Sequence, residues 1–218
     1  MTYTDHIIQY VEQQPVAAPI FTAEISKSLE AQFNLDPQKA VAATAVALKR
    51  IMDNKRIPAL RCYQKGIYYK TMATPFGEIG IDKEKLIARK YLNPDQGYET
   101  GLGLLYRLGL TTQLPNERMI ATNAARECVR KDDRLNVSVC PPKTEITAAN
   151  KAYLQCLDAL DQLELAPVDA DEPYRIMAEF IRKHHLRYDV LLALADRYYP
   201  KRAVIQLGHT AGKGAMEP

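Results

Sequence analysis

The chain has 218 residues, 47% of them hydrophobic and 25% charged, with 13 tyrosines, four cysteines and no tryptophan. That composition excludes a disordered or membrane-embedded chain, and the length suits two domains of modest size. The net charge of +3 gathers at one end: residues 1–72 hold nine Lys+Arg against six Asp+Glu, whereas residues 73–218 hold 20 of each.

The opening residues Met1-Thr-Tyr-Thr-Asp-His6 have neither the basic lead nor the apolar run of a secretory signal. No apolar stretch nears the roughly 18 residues that span a bilayer, so a cytoplasmic protein without a membrane partner is expected. Cys62, Cys128, Cys140 and Cys156 are spaced singly, without a C-x-x-C pair. Reduced, mostly packed thiols follow, rather than a disulfide framework or a zinc site.

Along the chain, Thr4 is suited to cap a first helix reaching about Gln14, with Ile7, Ile8 and Val11 as its apolar stripe, ended by Pro15 and Pro19. Thr22 is expected to cap a second helix on which Ile25, Leu29 and Phe33 recur at four-residue spacing. After the turn Asn34-Leu35-Asp36, Asp36 reads as a cap with Pro37 at the favoured first position, and a third helix runs to about Asn54. Its spacing predicts Val41, Leu48 and Ile51 or Met52 against the first two helices, and Gln38, Lys39, Ala42, Ala43, Val46, Lys49 and Arg50 on other faces. The stretch Arg56–Tyr69 holds two β-prone runs about Gln64-Lys65-Gly66 and predicts a hairpin.

Three helices followed by a basic hairpin describe a winged helix-turn-helix over residues 1–72. Between Lys49 and Lys70 seven basic residues face a single acid, Asp53, a surplus of the kind that neutralises phosphates. In such a fold the third helix enters the major groove and the wing lies along the backbone. Gln38, Lys39, Ala42, Ala43 and Val46 are therefore candidate base readers, and Lys49, Arg50, Lys55, Arg56, Arg61 and Lys65 candidate phosphate clamps on double-stranded DNA. Tyr63, Tyr68 and Tyr69 are best used in packing the wing against the helices.

Residues 73–82, with Pro75, Gly77 and Gly80, read as a linker. Residues 83–207 then predict a mixed domain: a short basic helix over Lys83–Tyr91 and a compact helix over Thr100–Leu108 closed by Gly109. Strands are expected at Arg118–Thr122 and Leu135–Val139, and helices over Thr147–Leu165, Glu172–His185 and Arg187–Tyr198. Without a regular strand–helix rhythm the class is α+β. Residues 208–218 read as a flexible tail.

Several stretches resemble one known family. Ile20-Phe-Thr22, Ala47-Leu-Lys-Arg-Ile51, Asn54-Lys-Arg-Ile57 and Lys65-Gly-Ile-Tyr-Tyr69 look like its second helix, recognition-helix end and wing. Leu104-Leu-Tyr-Arg-Leu-Gly-Leu-Thr-Thr-Gln113 with Ile120-Ala-Thr-Asn123 is more distinctive, and Leu191–Tyr199 with Pro200-Lys-Arg-Ala203 looks like its closing helix and turn. Together these resemble bacterial regulators of the abortive-infection AbiEi antitoxin type, found in type IV toxin–antitoxin operons. The resemblance implies a repressor of its own operon that counters a neighbouring nucleotidyltransferase-like toxin without needing a stable complex. The chain departs from the family pattern in a longer turn between helices two and three, from Phe33 to Gln38.

Gly208-His-Thr-Ala-Gly-Lys213-Gly214 has three residues between its glycines and no Ser or Thr after the lysine, so it lacks the phosphate-loop pattern. His184-His185 point in different directions on a helix, and no nucleophile–base constellation is marked by a motif. No catalytic, cofactor or metal site is expected. A second reading stays open. The Ala- and Val-rich run Ala40–Ala47 also suits a degenerate winged helix, with the α+β domain serving as a protein-interaction module.

Overall fold

A computed structural model describes residues 1–214. Its class is α+β, and it divides into two units, Met1–Leu86 and a second beginning at Ile87.

In the first unit α1 (Tyr3–Gln13) is capped by Thr2, not Thr4: the Thr2 hydroxyl accepts from the Asp5 N–H while Asp5 accepts from the Thr2 N–H. Short β1 (Ile20–Phe21) precedes α2 (Thr22–Phe33), which has no side-chain cap because its cap position is Phe21, one residue before the expected Thr22, whose hydroxyl donates to the Gly66 carbonyl. Asn34 ends α2 in a left-handed conformation (φ 49°), and α3 (Pro37–Asp53) starts after Asp36. The turn is therefore Asn34–Asp36; Phe33, Pro37 and Gln38 are helical, so the longer turn expected from the sequence does not occur. Strands β2 (Leu60–Gln64) and β3 (Ile67–Lys70) form the expected hairpin, tightened to Lys65-Gly66, and β1 joins β3 to give the order β1-β3-β2.

The core of this unit is Ile7 and Val11 from α1, Ile25 and Leu29 from α2, Leu48 and Ile51 from α3, with Ile20, Ile57 and Leu60 beneath. Burying such side chains stabilises by about 1.5–3 kcal/mol each, which is why three short helices hold together. Within it, the Ser26 hydroxyl donates to the Thr44 hydroxyl (3.1 Å) and Thr44 donates to the Ala40 carbonyl (2.8 Å), fixing α3 against α2. The stretch expected as a linker contains a small hairpin, β4 (Ala73–Thr74) and β5 (Gly77–Glu78). It is tied back by Thr71 Oγ1 to the Ile79 carbonyl and by the Ile79 N–H to the Met72 carbonyl. Phe76 stands at its tip, 101% exposed.

Helix α4 (Lys83–Ile87) runs into a π turn at Ala88–Leu92. The second unit then builds a four-stranded sheet in the order β6-β7-β9-β8 from β6 (Gly97–Thr100), β7 (Arg118–Thr122), β8 (Arg130–Asp132) and β9 (Val137–Cys140). Strands β7 and β9 are parallel and the outer pairs antiparallel. Gly97 is required: a Cβ there would sit 2.1 Å from the Tyr91 carbonyl and 2.8 Å from the Ala121 carbonyl. Helices α5 (Gly101–Arg107), α6 (Lys151–Gln162), α7 (Pro173–Lys183), α8 (Tyr188–Tyr198) and α9 (Lys201–Gly214) complete it. Residues 208–214, expected as tail, continue α9, with Leu207 and Thr210 buried; residues 215–218 lie outside the described residues.

The stretches that carried the family resemblance do structural work here. Leu104, Leu105 and Leu110 are core, and the N–H and hydroxyl of Thr112 both donate to Asp169. The Asn123 amide donates to the Ile146 carbonyl (2.8 Å) and accepts from the Ile146 N–H (2.9 Å), as a neighbouring strand would. Among the described residues no helix is long and apolar enough to cross a membrane.

Candidate nucleic-acid interface

Helix α3 buries Ala40, Thr44, Ala47, Leu48 and Ile51. At about 100° per residue, the opposite side is the line Gln38, Ala42, Ala45, Val46 and Lys49, with Lys39 and Arg50 beside it, all exposed. Ala43 is half-buried at the margin of this face. Val41, expected to pack inward, is 58% exposed: Leu48 and Ile51 hold the predicted stripe, Val41 lies at its edge, and Ala40 takes the core place. Val46 is 51% exposed. The Asp36 carboxylate accepts from the N–H groups of Gln38 (3.1 Å) and Lys39 (3.4 Å). The helix therefore presents side chains outward, while its leading amides are already satisfied.

The basic residues divide into two sets. Lys39, Lys49, Arg50, Lys55 and Lys65 are exposed, and among the described residues none of them holds a hydrogen bond or ion pair from its side chain. Arg56 lies 3.6 Å from Asp5 in an open surface pair, worth little in water. Asp5 is held below the usual carboxylate range chiefly by the Thr2 hydroxyl and N–H, with Arg56 a lesser cause. Arg61 is different: its guanidinium donates twice to Glu78 (3.2 and 2.6 Å) and to the carbonyls of Pro58 (2.7 Å) and Leu60 (3.1 Å). The bond to Glu78 raises its pKa further, so Arg61 belongs to the small hairpin rather than to a free phosphate clamp. Lys70, counted in the basic run, donates to the Glu12 carbonyl at 2.7 Å.

The hairpin turn is anchored to α2 through Gly66, whose carbonyl accepts from the Thr22 N–H (3.0 Å) and whose φ of 84° a side chain would strain. Tyr68 packs against the helical core, the use expected for the hairpin aromatics, and Tyr63 and Tyr69 are half-buried. Lys65 is thus carried on a supported turn.

Sequence reasoning missed a polar cluster in the second unit. Asp158 on α6 accepts from Thr100 (2.7 Å) and Tyr199 (2.7 Å), with Tyr98 packed close by. Burial pushes its carboxyl up, partly offset by those hydrogen bonds. Burial also pushes both tyrosine phenols up, and with the charge of Asp158 it moves the Cys140 thiol to about 11. Thr100, Cys128, Cys140, Lys143 and Asp158 line a cleft of about 520 Å³. With the Cys140 thiol and both phenols pushed up, these three groups stay protonated at neutral pH. The only signal for the cluster was the spacing of single polar residues within apolar runs, far apart in sequence.

Cys62 and Cys128 are exposed, Cys140 half-buried and Cys156 buried, so packing of the thiols holds for the last two only. His184 closes α7 and His185 follows it with φ 52°, a helix end as expected. Among the described residues no group of three or more His, Cys, Asp or Glu is arranged to hold a metal. In comparisons with known proteins, no family model, no curated protein and no solved structure matches this chain.

Proposed function

We propose that this chain is a DNA-binding transcriptional regulator whose residues 1–72 act as a winged helix-turn-helix, and that it represses its own operon as an antitoxin of the AbiEi type. The observation that carries the reading is the solvent face of α3. It sets Gln38 and Lys39 at its start and Lys49 and Arg50 at its end, with Lys55 following and Lys65 at the hairpin turn, all free of intramolecular partners among the described residues. Three helices, a three-residue turn between the second and third, and a β-hairpin after them agree with that fold. Neutralising phosphates releases counterions, and unpaired cations do so without first breaking a bond. The toxin relation rests on the sequence resemblance alone and implies no stable complex.

The test is a mobility-shift titration against the chain's own upstream promoter fragment with unrelated duplex in excess. A specific shift is expected. Replacing Lys49 and Arg50 together by alanine should weaken binding on every duplex and flatten the salt slope by about 1.8, at about 0.9 per phosphate. An unchanged slope would remove both residues from the clamp, whereas Lys39→Ala should alter sequence preference. The exposed Val41 and Val46 favour a second reading, in which α3 docks on a protein partner. Absence of duplex binding at low salt would select it.

A further inference from the structure

The middle of the α3 solvent face carries little hydrogen-bonding chemistry. Between Lys39 and Lys49 its outward positions are Val41, Ala42, Ala45 and Val46, and the hydroxyl of Thr44 is buried against α2. A helix meant only to stay in water gains nothing from two exposed β-branched residues, which also lower its helix propensity. Cations follow the stripe, Lys49 and Arg50 at its end and Lys55 beyond it. This charge matches a phosphate backbone beside a groove better than it matches an apolar protein surface.

Each base pair shows the major groove a distinct pattern, and the one apolar feature in it is the C5 methyl of thymine. Alanine and valine methyls are suited to that feature and to no other base edge. Glutamine pairs bidentately with adenine N6 and N7, and the first three turns of α3 hold no arginine, which leaves Lys39 as their one guanine-reading side chain. From this, and resting on the DNA-binding reading above, we infer that Ala42, Ala45 and Val46 read thymine methyl groups. The preferred duplex is then A·T-rich under α3, with Gln38 taking an adenine.

The experiment uses the full chain. A randomised duplex pool is selected at moderate salt, and each thymine of the enriched duplex is then replaced singly by deoxyuridine, which removes the methyl and leaves pairing intact. The expected result is enrichment of thymine at two or more positions and a loss of roughly fourfold in affinity for each contacted methyl removed, the transfer value of one buried carbon. Val46→Ser, which takes away both methyls at an exposed position, should abolish the deoxyuridine penalty at one of those positions. An enriched duplex that binds equally well with deoxyuridine, or one that is G·C-rich under α3, would overturn methyl readout while leaving DNA binding intact. Absence of both enrichment and low-salt duplex binding would bring down the DNA-binding reading itself, and methyl readout with it.

Discussion

A guanidinium held 2.6 Å from a carboxylate of its own chain reaches a phosphate only by exchanging one partner for another. Arg61 is in that position, and Glu78 decides whether its charge is spent internally. Glu78→Gln should therefore steepen the salt dependence of duplex binding by about 0.9, the increment for one added phosphate contact. Stability should change little, because exposed pairs contribute about 0–1 kcal/mol. Equal slopes for the variant and the parent would show that Arg61 stays out of reach of the duplex even when released. Asp158 gives a second expectation of the same scale. Its folded carboxyl holds a proton at higher pH than the unfolded one, whose ordinary value is 3.8. The folded state then binds more protons in the window above 3.8, so stability is greatest below that value and declines as pH rises through the raised folded value. Asp158→Asn preserves the shape and removes the charge. Denaturant midpoints measured from about pH 4 to about pH 8 should fall with pH in the parent and flatten in the variant.

At the level of elements, α3 was legible because Asp36, Pro37 and a 3.6-residue stripe all argue for one helix with one start. Asp36→Ala should cost about 1 kcal/mol of stability, read from chemical denaturation, since two amides lose their acceptor. The face that carries Gln38, Lys39, Ala42, Val46, Lys49 and Arg50 was legible for the same reason, except for Val41, which lies at the edge of the buried stripe. Thr22 was misjudged because the helix starts at it and Phe21 takes the cap position, held extended in β1 by pairing with Ile67, which no local pattern reveals. Helix α9 was missed because Gly208, Gly212 and Gly214 each cost roughly 1 kcal/mol of helix propensity. Tertiary packing overrides that cost: Ala203 and Leu207 are core, and Arg202 reaches Asp161 at 2.7 Å. Strand β1 has two residues, too few for any periodicity to register.

Across the whole molecule, two cores that share no residue account for the two units: one ends at Leu60 and the other starts at Tyr98. The charge asymmetry in the sequence does not follow this division: the +3 of residues 1–72 belongs to the stretch around α3 and the hairpin after it, and the acids Glu78, Asp82 and Glu84 of the same unit offset part of it. What could not be read ahead is which cations remain free, because that depends on the hairpin of residues 73–78 folding back to Arg61. That hairpin exposes Phe76 fully between Pro75 and Gly77, as an accessible aromatic bond for chymotrypsin. Brief digestion should give fragments 1–76 and 77–218 by mass spectrometry, and cutting first elsewhere would show the tip to be shielded. The first fragment would keep all three helices and the sheet β1-β3-β2, while Glu78 would lie on the second, still tied to the first through the bonds of Ile79 to Thr71 and Met72 and of Asp82 to Ala17. One nicked bond would then leave Glu78 beside Arg61 through non-covalent contacts alone, making a protease cut at Phe76 a means of loosening the internal partner of a charge on the first unit.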